Sequence, residues 1–293
     1  MRYFNSNVSL RICLFALVMI GTYCAAQSVT LSRQLCVMSY NIRTASAQDA
    51  FSWETRRPLV RNLLAKYNAD IIGTQEAMFS QVKDILADYP NYDMIGLGRE
   101  GGSRGEFMAV FYEKFRLEPL EFDHFWLSDT PDVIGSTSWG NTNRRMVTWV
   151  RFRDRLTTKE FYLVNTHFDH EVDRARKRSA ELLVEKLAEF QNDLPVIVTG
   201  DFNDIAEDSP AYSILTTDGG LRDSWKTAGE RKGEGLNTYN GYSADLQNEG
   251  QRIDWILVRG PLRVTAVEIS DYAEEGKYPS DHFPVIAWIS FNR

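Results

Sequence analysis

The sequence predicts an α/β fold in which two β-sheets pack face to face with helices on the outside. Three observations lead there. Short β-rich runs recur from Leu35 to the end of the chain, amphipathic helical stretches are few and lie between them, and no repeat, low-complexity tract or Pro/Ser-rich linker divides the chain. The number of runs exceeds what one open sheet comfortably holds, which favours two sheets over one very wide one. A single domain is the simplest organisation.

The runs expected as strands are 35–40, 71–75, 94–97, 107–112, 146–152, 161–166, 195–199, 253–258, 264–269 and 285–289. Leu59, Leu63, Leu64 and Tyr67 fall on one face of a helix opening near Trp53, and Leu183, Leu187 and Phe190 do so after Glu171. A short third helix is expected at Pro210, capped by Ser209.

The first 26 residues read as a secretory leader, with Arg2 and Arg11 ahead of the apolar run 12–20 and small residues at Ala25 and Ala26. The run is far shorter than the roughly 20 residues that span a bilayer. Cys24 offers lipid attachment as an alternative, but Tyr23 before it is bulky for that pattern. The expected domains are therefore a leader at 1–26 and a catalytic domain at 27–293, periplasmic or extracellular, with no membrane span in the mature chain, no evident protein partner and a monomeric state.

Loss of the leader removes two arginines and no acid, so the net charge moves from -7 to -9. An acidic chain is poorly suited to coat duplex DNA, which relies on many Lys and Arg contacts to phosphate. Cys13 and Cys24 leave with the leader, so Cys36 alone remains and no internal disulfide forms. Stability must come from a large apolar core.

Polar clusters interrupt or end the apolar runs: Ser39-Tyr40-Asn41, Thr74-Gln75-Glu76, Arg104-Gly105-Glu106, Asn165-Thr166-His167-Phe168-Asp169, Gly200-Asp201-Phe202-Asn203, Arg252-Ile253-Asp254 and Ser280-Asp281-His282. Singly, an Asp or Asn after a strand is more often a turn former or cap. Together they supply what phosphate-ester hydrolysis needs: carboxylates for a cation, a carboxylate to orient or deprotonate water, and donors for the anion. Glu76 and Asp281 are hard oxygen ligands suited to Mg²⁺. The single mature Cys and the lack of a close His pair argue against zinc. His124 and His170 are assigned to structure.

In this order the clusters closely resemble the endonuclease/exonuclease/phosphatase superfamily, the deoxyribonuclease-like fold, over nearly the whole mature chain. The resemblance implies a four-layer α/β sandwich of two mixed sheets flanked by helices, with the site at one edge of both sheets. It makes Glu76 the principal metal carboxylate, assisted by Asn41 and Asp281, for Mg²⁺ or Mn²⁺. Asp201 would orient or deprotonate water and Asn203 would bind the phosphate or that water. His282 held by Asp254, and His167 supported by Glu106 in its strand, would be the imidazoles; which one donates to the leaving group stays open. Arg43 stands where apurinic endonucleases carry an acid, which weakens a repair function. The stretch Phe125-Trp126-Leu127-Ser128, with Asp129-Thr130-Pro131 and Arg145-Met146-Val147-Thr148-Trp149, is similar to an exported subgroup and to deadenylase-like members.

Arg145 is a candidate phosphate contact, against the plainer reading of a strand-end arginine in water or an ion pair. The run Arg174, Arg176, Lys177, Arg178 reads better as a solvated face paired with Glu181 and Glu185 than as a nucleic-acid patch. Trp139 is the aromatic most suited to touch substrate. The expected function is Mg²⁺-dependent hydrolysis of a phosphate ester, as a nuclease-like phosphodiesterase on short or single-stranded nucleic acid. The alternative is an enzyme for a small substrate such as an inositol phosphate, nucleotide or phospholipid headgroup, and a noncatalytic binding module is the remote one. Substrate choice is expected to reside in segments 129–143 and 219–249, since fold and motif fix only the bond class.

Overall fold

The computed structural model describes residues 34–46, 51–243 and 250–292; the leader expected at 1–26 lies outside them. In chain order the strands are β1 (Leu35–Asn41), β2 (Ile71–Gln75), β3 (Tyr92–Ile95), β4 (Val110–Glu113), β5 (Leu117–Trp126), β6 (Met146–Asp154), β7 (Glu160–His167), β8 (Val196–Asp201), β9 (Arg222–Asp223), β10 (Glu230–Lys232), β11 (Asp254–Arg259), β12 (Leu262–Ile269) and β13 (Val285–Phe291). They form a seven-stranded sheet in the order β10-β12-β13-β1-β2-β4-β3 and a six-stranded sheet in the order β5-β6-β7-β8-β11-β9. The β1–β2 and β7–β8 pairs are parallel and β1–β13, β6–β7 and β8–β11 antiparallel, so both sheets are mixed.

Alternation along the strands builds the layers, because successive side chains leave a strand on opposite faces. In β1, Leu35 and Val37 enter the core between the sheets, while Cys36, Met38 and Tyr40 point to the far side. In β8, Ile197 faces inward and Val196 and Val198 face outward. The outer face of the first sheet is covered by Val60, Leu63 and Leu64 of α1 (Trp53–Tyr67) and by Val82 and Ile85 of α2 (Phe79–Asp88). Ala175, Ala180, Leu183 and Leu187 of α3 (Asp173–Ala188) cover the second. The result is the expected four-layer sandwich, and Cys36 is a buried free thiol within it.

Most expected elements are present with small shifts. The short helix at Pro210–Ser213 carries the expected cap, with Ser209 Oγ accepting from the Tyr212 amide. The run expected at 107–112 becomes regular strand only at Val110; Phe107 makes isolated bridges to Ala77 and Gly98. Glu106 is therefore on a loop, not in a strand, and Gly105 before it holds a positive φ of 73° that breaks the extended chain.

A polar plug ties the sheets together beneath the site. Asn165 on β7 donates to the carbonyls of Thr74 and Ala109, and its Oδ1 accepts from Gln75 and from Thr199 Oγ1. Gly73 on β2 makes room for it: a Cβ there would lie 2.3 Å from Thr199 Oγ1.

Candidate active site

Strand register lines up three of the expected residues. His167 ends β7 beside Asp201, which ends β8 beside Asp254, the first residue of β11. From the other sheet, Asn41 ends β1 beside Gln75 of β2, with Glu76 next in the chain. The loop before β13 brings Asp281 and His282 between the two rows. Ser280 fixes that loop by donating from Oγ to the Asn41 carbonyl at 2.7 Å. Arg56 on α1, only 1% exposed, clamps both neighbouring loops. Its guanidinium donates to the carbonyls of Phe51, Ile42, Pro279, Arg43 and Thr44.

The residues so assembled surround one cavity of about 380 Å³, lined by Glu76, His167, Asp201, Asn203, Asp281 and His282 with Arg43, Arg99, Glu106, Asn143, Arg145, His170 and Tyr239. Asn41 joins its two sides, donating from Nδ2 to Glu76 Oε1 at 2.9 Å and to Asp201 Oδ2 at 3.0 Å. Arg43, Glu76 and Asn203 all hold left-handed backbone, with φ of 56°, 63° and 50°. Such conformations cost about 1–3 kcal/mol each for residues other than glycine and gather at functional sites.

The electrostatics separate the groups. Asp201 is pushed up to about 7 by burial and by the neighbouring Asp254 carboxylate. Burial pulls the His282 imidazole down, but Asp254 and Asp201 outweigh it and lift it well above its ordinary value. Its Nδ1 lies 2.9 Å from Asp254 Oδ2, so the ring donates there and turns Nε2 toward Asp201 Oδ2, 3.8 Å away. His167 moves the other way, held well below the ordinary value by burial and then by Arg145. Burial also raises Glu76, yet bonds from Asn41 and the Thr44 amide, with His282 and Arg43 nearby, bring it below its ordinary value.

Two expectations need correction. Glu106 does not bond His167: its Oε2 accepts from Arg99 Nη1 at 2.7 Å, a guanidinium seven residues away along one loop. His167 Nδ1 is met instead by Arg145 Nη1 at 2.9 Å. Arg145 itself, 4% exposed, lines the cavity and turns its guanidinium to both imidazoles, with Nη2 2.9 Å from His170 Nδ1. Trp139 is not a substrate contact, being 4% exposed with its indole N–H donated to Asp129 Oδ1 outside this cavity. Part of the basic run is the paired face expected: Arg178 and Lys177 reach Glu181 at 2.7 and 4.0 Å, whereas Arg176 is mostly buried and pairs with Asp173 and Asp204. His124 is structural as expected, its Nδ1 bonded to Thr148 Oγ1. His170 was assigned to structure and lines the cavity; its place three residues after His167 was the available signal. Arg99 and Tyr239 carried no such signal.

The donor set fits a hard divalent cation. Arg43 Nη1 lies 3.9 Å from Glu76 Oε2 and 3.5 Å from Asp281 Oδ2, so a single positive nitrogen already sits against both carboxylates. Glu76, His167 and Asp201 also form a compact group, with ligand atoms within 4.8 Å of one another. His167 is the weaker ligand of the two sets, because a ring whose Nδ1 accepts from Arg145 carries its proton on Nε2 and has no lone pair left there. The oxygen pair of Glu76 and Asp281 is preferred; Asn41, expected to assist as a ligand, turns Nδ2 to Glu76 and accepts at Oδ1 from the Arg43 amide at 3.0 Å, so it orients the carboxylate instead.

A family model described as the endonuclease/exonuclease/phosphatase family matches residues 38–282. A solved structure of an endonuclease/exonuclease/phosphatase from Bacteroides vulgatus is 35% identical, with a TM-score of 0.83, covering 88% of this chain and 99% of that one. A mannosyl-6-phosphatase from Bacteroides thetaiotaomicron is 34% identical, with a TM-score of 0.82, covering 88% and 100%. An uncharacterised protein of Acanthamoeba polyphaga mimivirus is 34% identical over 163 residues, 52% of this chain and 60% of that protein, so the chain spans less than two thirds of that relative.

Proposed function

Because this chain belongs to the endonuclease/exonuclease/phosphatase family, we propose that it is a metal-dependent phosphatase that removes phosphate from a small, hydroxyl-rich monoester. Hydrolysis of a phosphate ester is the family chemistry; the substrate is the new part. It follows the second of the sequence alternatives more closely than the nuclease-like first. The observation that carries it is the cavity. Glu76, Asp201, Asp281, His167 and His282 converge on about 380 Å³, at the small end of the ~300–1,000 Å³ typical of small-molecule sites. Tyr239 bounds it, edge-on to His282 with ring centroids 5.1 Å apart, and Arg99, Glu106, Asn143 and His170 offer the mixed donors and acceptors that hydroxyl groups use. The mannosyl-6-phosphatase relative agrees with this choice.

In this reading Glu76, oriented by Asn41, and Asp281 would hold Mg²⁺ or Mn²⁺, which when bound would supply positive charge against the phosphoryl oxygens. Asp201 Oδ2 takes the proton of the attacking water. Asn41 and the Asn203 backbone amide, which donates to Oδ1 at 2.9 Å, fix the carboxylate for that task. His282 offers Nε2–H to the phosphate or to the departing oxygen, with Asp254 holding its tautomer. Residues 1–26 are proposed as a leader removed on export, which the mass of the secreted protein would reveal.

The test is phosphate release under Mg²⁺ from hexose 6-phosphates, inositol phosphates and nucleotides, set against cleavage of bis-p-nitrophenyl phosphate, single-stranded RNA and DNA, and sphingomyelin. Monoesters should be preferred, and Asp201→Ala and His282→Ala should each lower kcat by about 10²–10⁴. A preference for the diesters would return the enzyme to the nuclease-like reading.

A further inference from the structure

The two imidazoles of this site face opposite kinds of partner. His282 Nδ1 meets a carboxylate, Asp254, whereas His167 Nδ1 meets a guanidinium, Arg145, at 2.9 Å. A carboxylate only accepts, so it draws the ring proton to Nδ1. A guanidinium only donates and keeps its protons at any ordinary pH, so it requires a lone pair on Nδ1 and leaves the proton of a neutral ring on Nε2. His170 is bound the same way through Arg145 Nη2 at 2.9 Å. On the other side of the His167 ring Asp201 Oδ2 lies 3.4 Å from Nε2 and can only accept, which also calls for Nε2–H. The Asn203 amide nitrogen, 3.0 Å from Nε2 and 3.1 Å from the Phe168 carbonyl, must then turn its oxygen to the ring and give up the Phe168 bond, which an amide can do and a guanidinium cannot. Arg145 is itself fixed: it is 4% exposed, and its Nε faces Asp169 Oδ2 at 3.7 Å, each atom without a hydrogen-bond partner.

We propose that Arg145 is a positioning residue that locks His167 as a neutral Nε2–H donor toward the cavity, and His170 beside it as the same tautomer with Nε2 toward Glu171 Oε1, 3.5 Å away. His167 then holds a phosphoryl oxygen by a fixed hydrogen bond and neither takes up nor releases a proton during the reaction. Proton transfer falls to Asp201 and His282. The kinetic consequence rests on the proposed function; the tautomer does not.

The chain has four histidines, so the tag-free, ¹⁵N-labelled protein gives a small set of imidazole signals, assignable from single His→Asn variants by long-range ¹H–¹⁵N correlation at neutral pH. His167 and His170 should both show a protonated Nε2 and a bare Nδ1. A protonated Nδ1 on His167, whether neutral tautomer or imidazolium, overturns the proposal. In turnover of p-nitrophenyl phosphate, Arg145→Gln should lower kcat by about 10²–10³, the range for loss of one preorganised donor, with KM little changed. Placed in a His167→Ala background it should cost no more than about twofold further, because both changes remove one function. Losses that multiply, or an effect confined to KM, would show that Arg145 acts on substrate directly. If Arg145→Gln fails to fold, the wild-type spectrum decides alone.

Discussion

Asp201 and Asp254 are register partners across the antiparallel pair β8–β11, and His282 joins them, Nδ1 at 2.9 Å from Asp254 and Nε2 at 3.8 Å from Asp201. Two buried carboxylates this near cannot both ionise without a compensating charge, and the imidazolium supplies it. Asp254→Asn removes one of those carboxylates while keeping the shape. The expected result is a kcat lowered by about 10²–10⁴ with little change in KM or melting temperature. Unchanged turnover in Asp254→Asn would remove the dyad from the chemistry.

Arg56 predicts a stability effect remote from the chemistry. Its five N–H groups are matched by the carbonyls of Phe51, Ile42, Pro279, Arg43 and Thr44, which lie on the loops carrying Arg43 and Asp281. Arg56→Met strands several buried acceptors and should cost about 3–5 kcal/mol in urea unfolding. Arg56→Lys should recover only part of it, since an ammonium cannot reach all five. A loss within about 0.5 kcal/mol, the range of an ordinary surface change, would mean that the loops hold themselves.

Gly73 should tolerate no side chain. The added methyl of Gly73→Ala would meet Thr199 Oγ1 at 2.3 Å and Asn165 Oδ1 at 2.7 Å, a clash expected to cost about 1–3 kcal/mol. Thr199→Ala in the same chain should relieve part of that loss. Additive destabilisation in a double-mutant cycle would contradict the clash.

His124 gives a pH dependence with a definite sign. Burial holds its imidazole down to about 4, against an ordinary 6.5. As pH falls through 6.5 the unfolded chain takes up a proton that the folded ring refuses. Stability is therefore fully present above that value, declines down to about 4, and changes no further through this group below it. The ring keeps some solvent contact, which limits the loss to about 2 kcal/mol. His124→Gln should show a correspondingly smaller drop in unfolding free energy between pH 7.5 and 4.5. Parallel curves for the two proteins would refute the assignment.

The fold and the strand-end chemistry were legible in the sequence because both follow local rules. Alternation in β1 and β8 separates inward from outward residues, the clusters around Asn41, His167 and Asp201 each end an apolar run, and the one at His282 precedes one. What escaped depended on partners distant in sequence or on weak local signals. β5 begins Leu117-Glu118-Pro119, and its pairing slips between Pro119 and Glu121, a break tolerated because β5 is an edge strand. At the start of α2 the N-cap position holds Met78, which makes no side-chain cap bond; Gln81 Oε1 accepts from its amide at 2.9 Å instead. The partner of His167 could not be read because nothing local says that Arg99 will take Glu106 and leave Arg145 to the imidazole.

Every role assigned above requires the ends of two sheets to act on one phosphoryl group beside a divalent cation. The decisive assay is phosphate release by the wild-type protein from a hexose 6-phosphate after exhaustive chelation, repeated with Mg²⁺ restored. Turnover should vanish with chelator and return with Mg²⁺, while Glu76→Gln stays inactive in both. Full activity in chelator would leave Glu76 and Asp281 without their proposed purpose and the site without its cation.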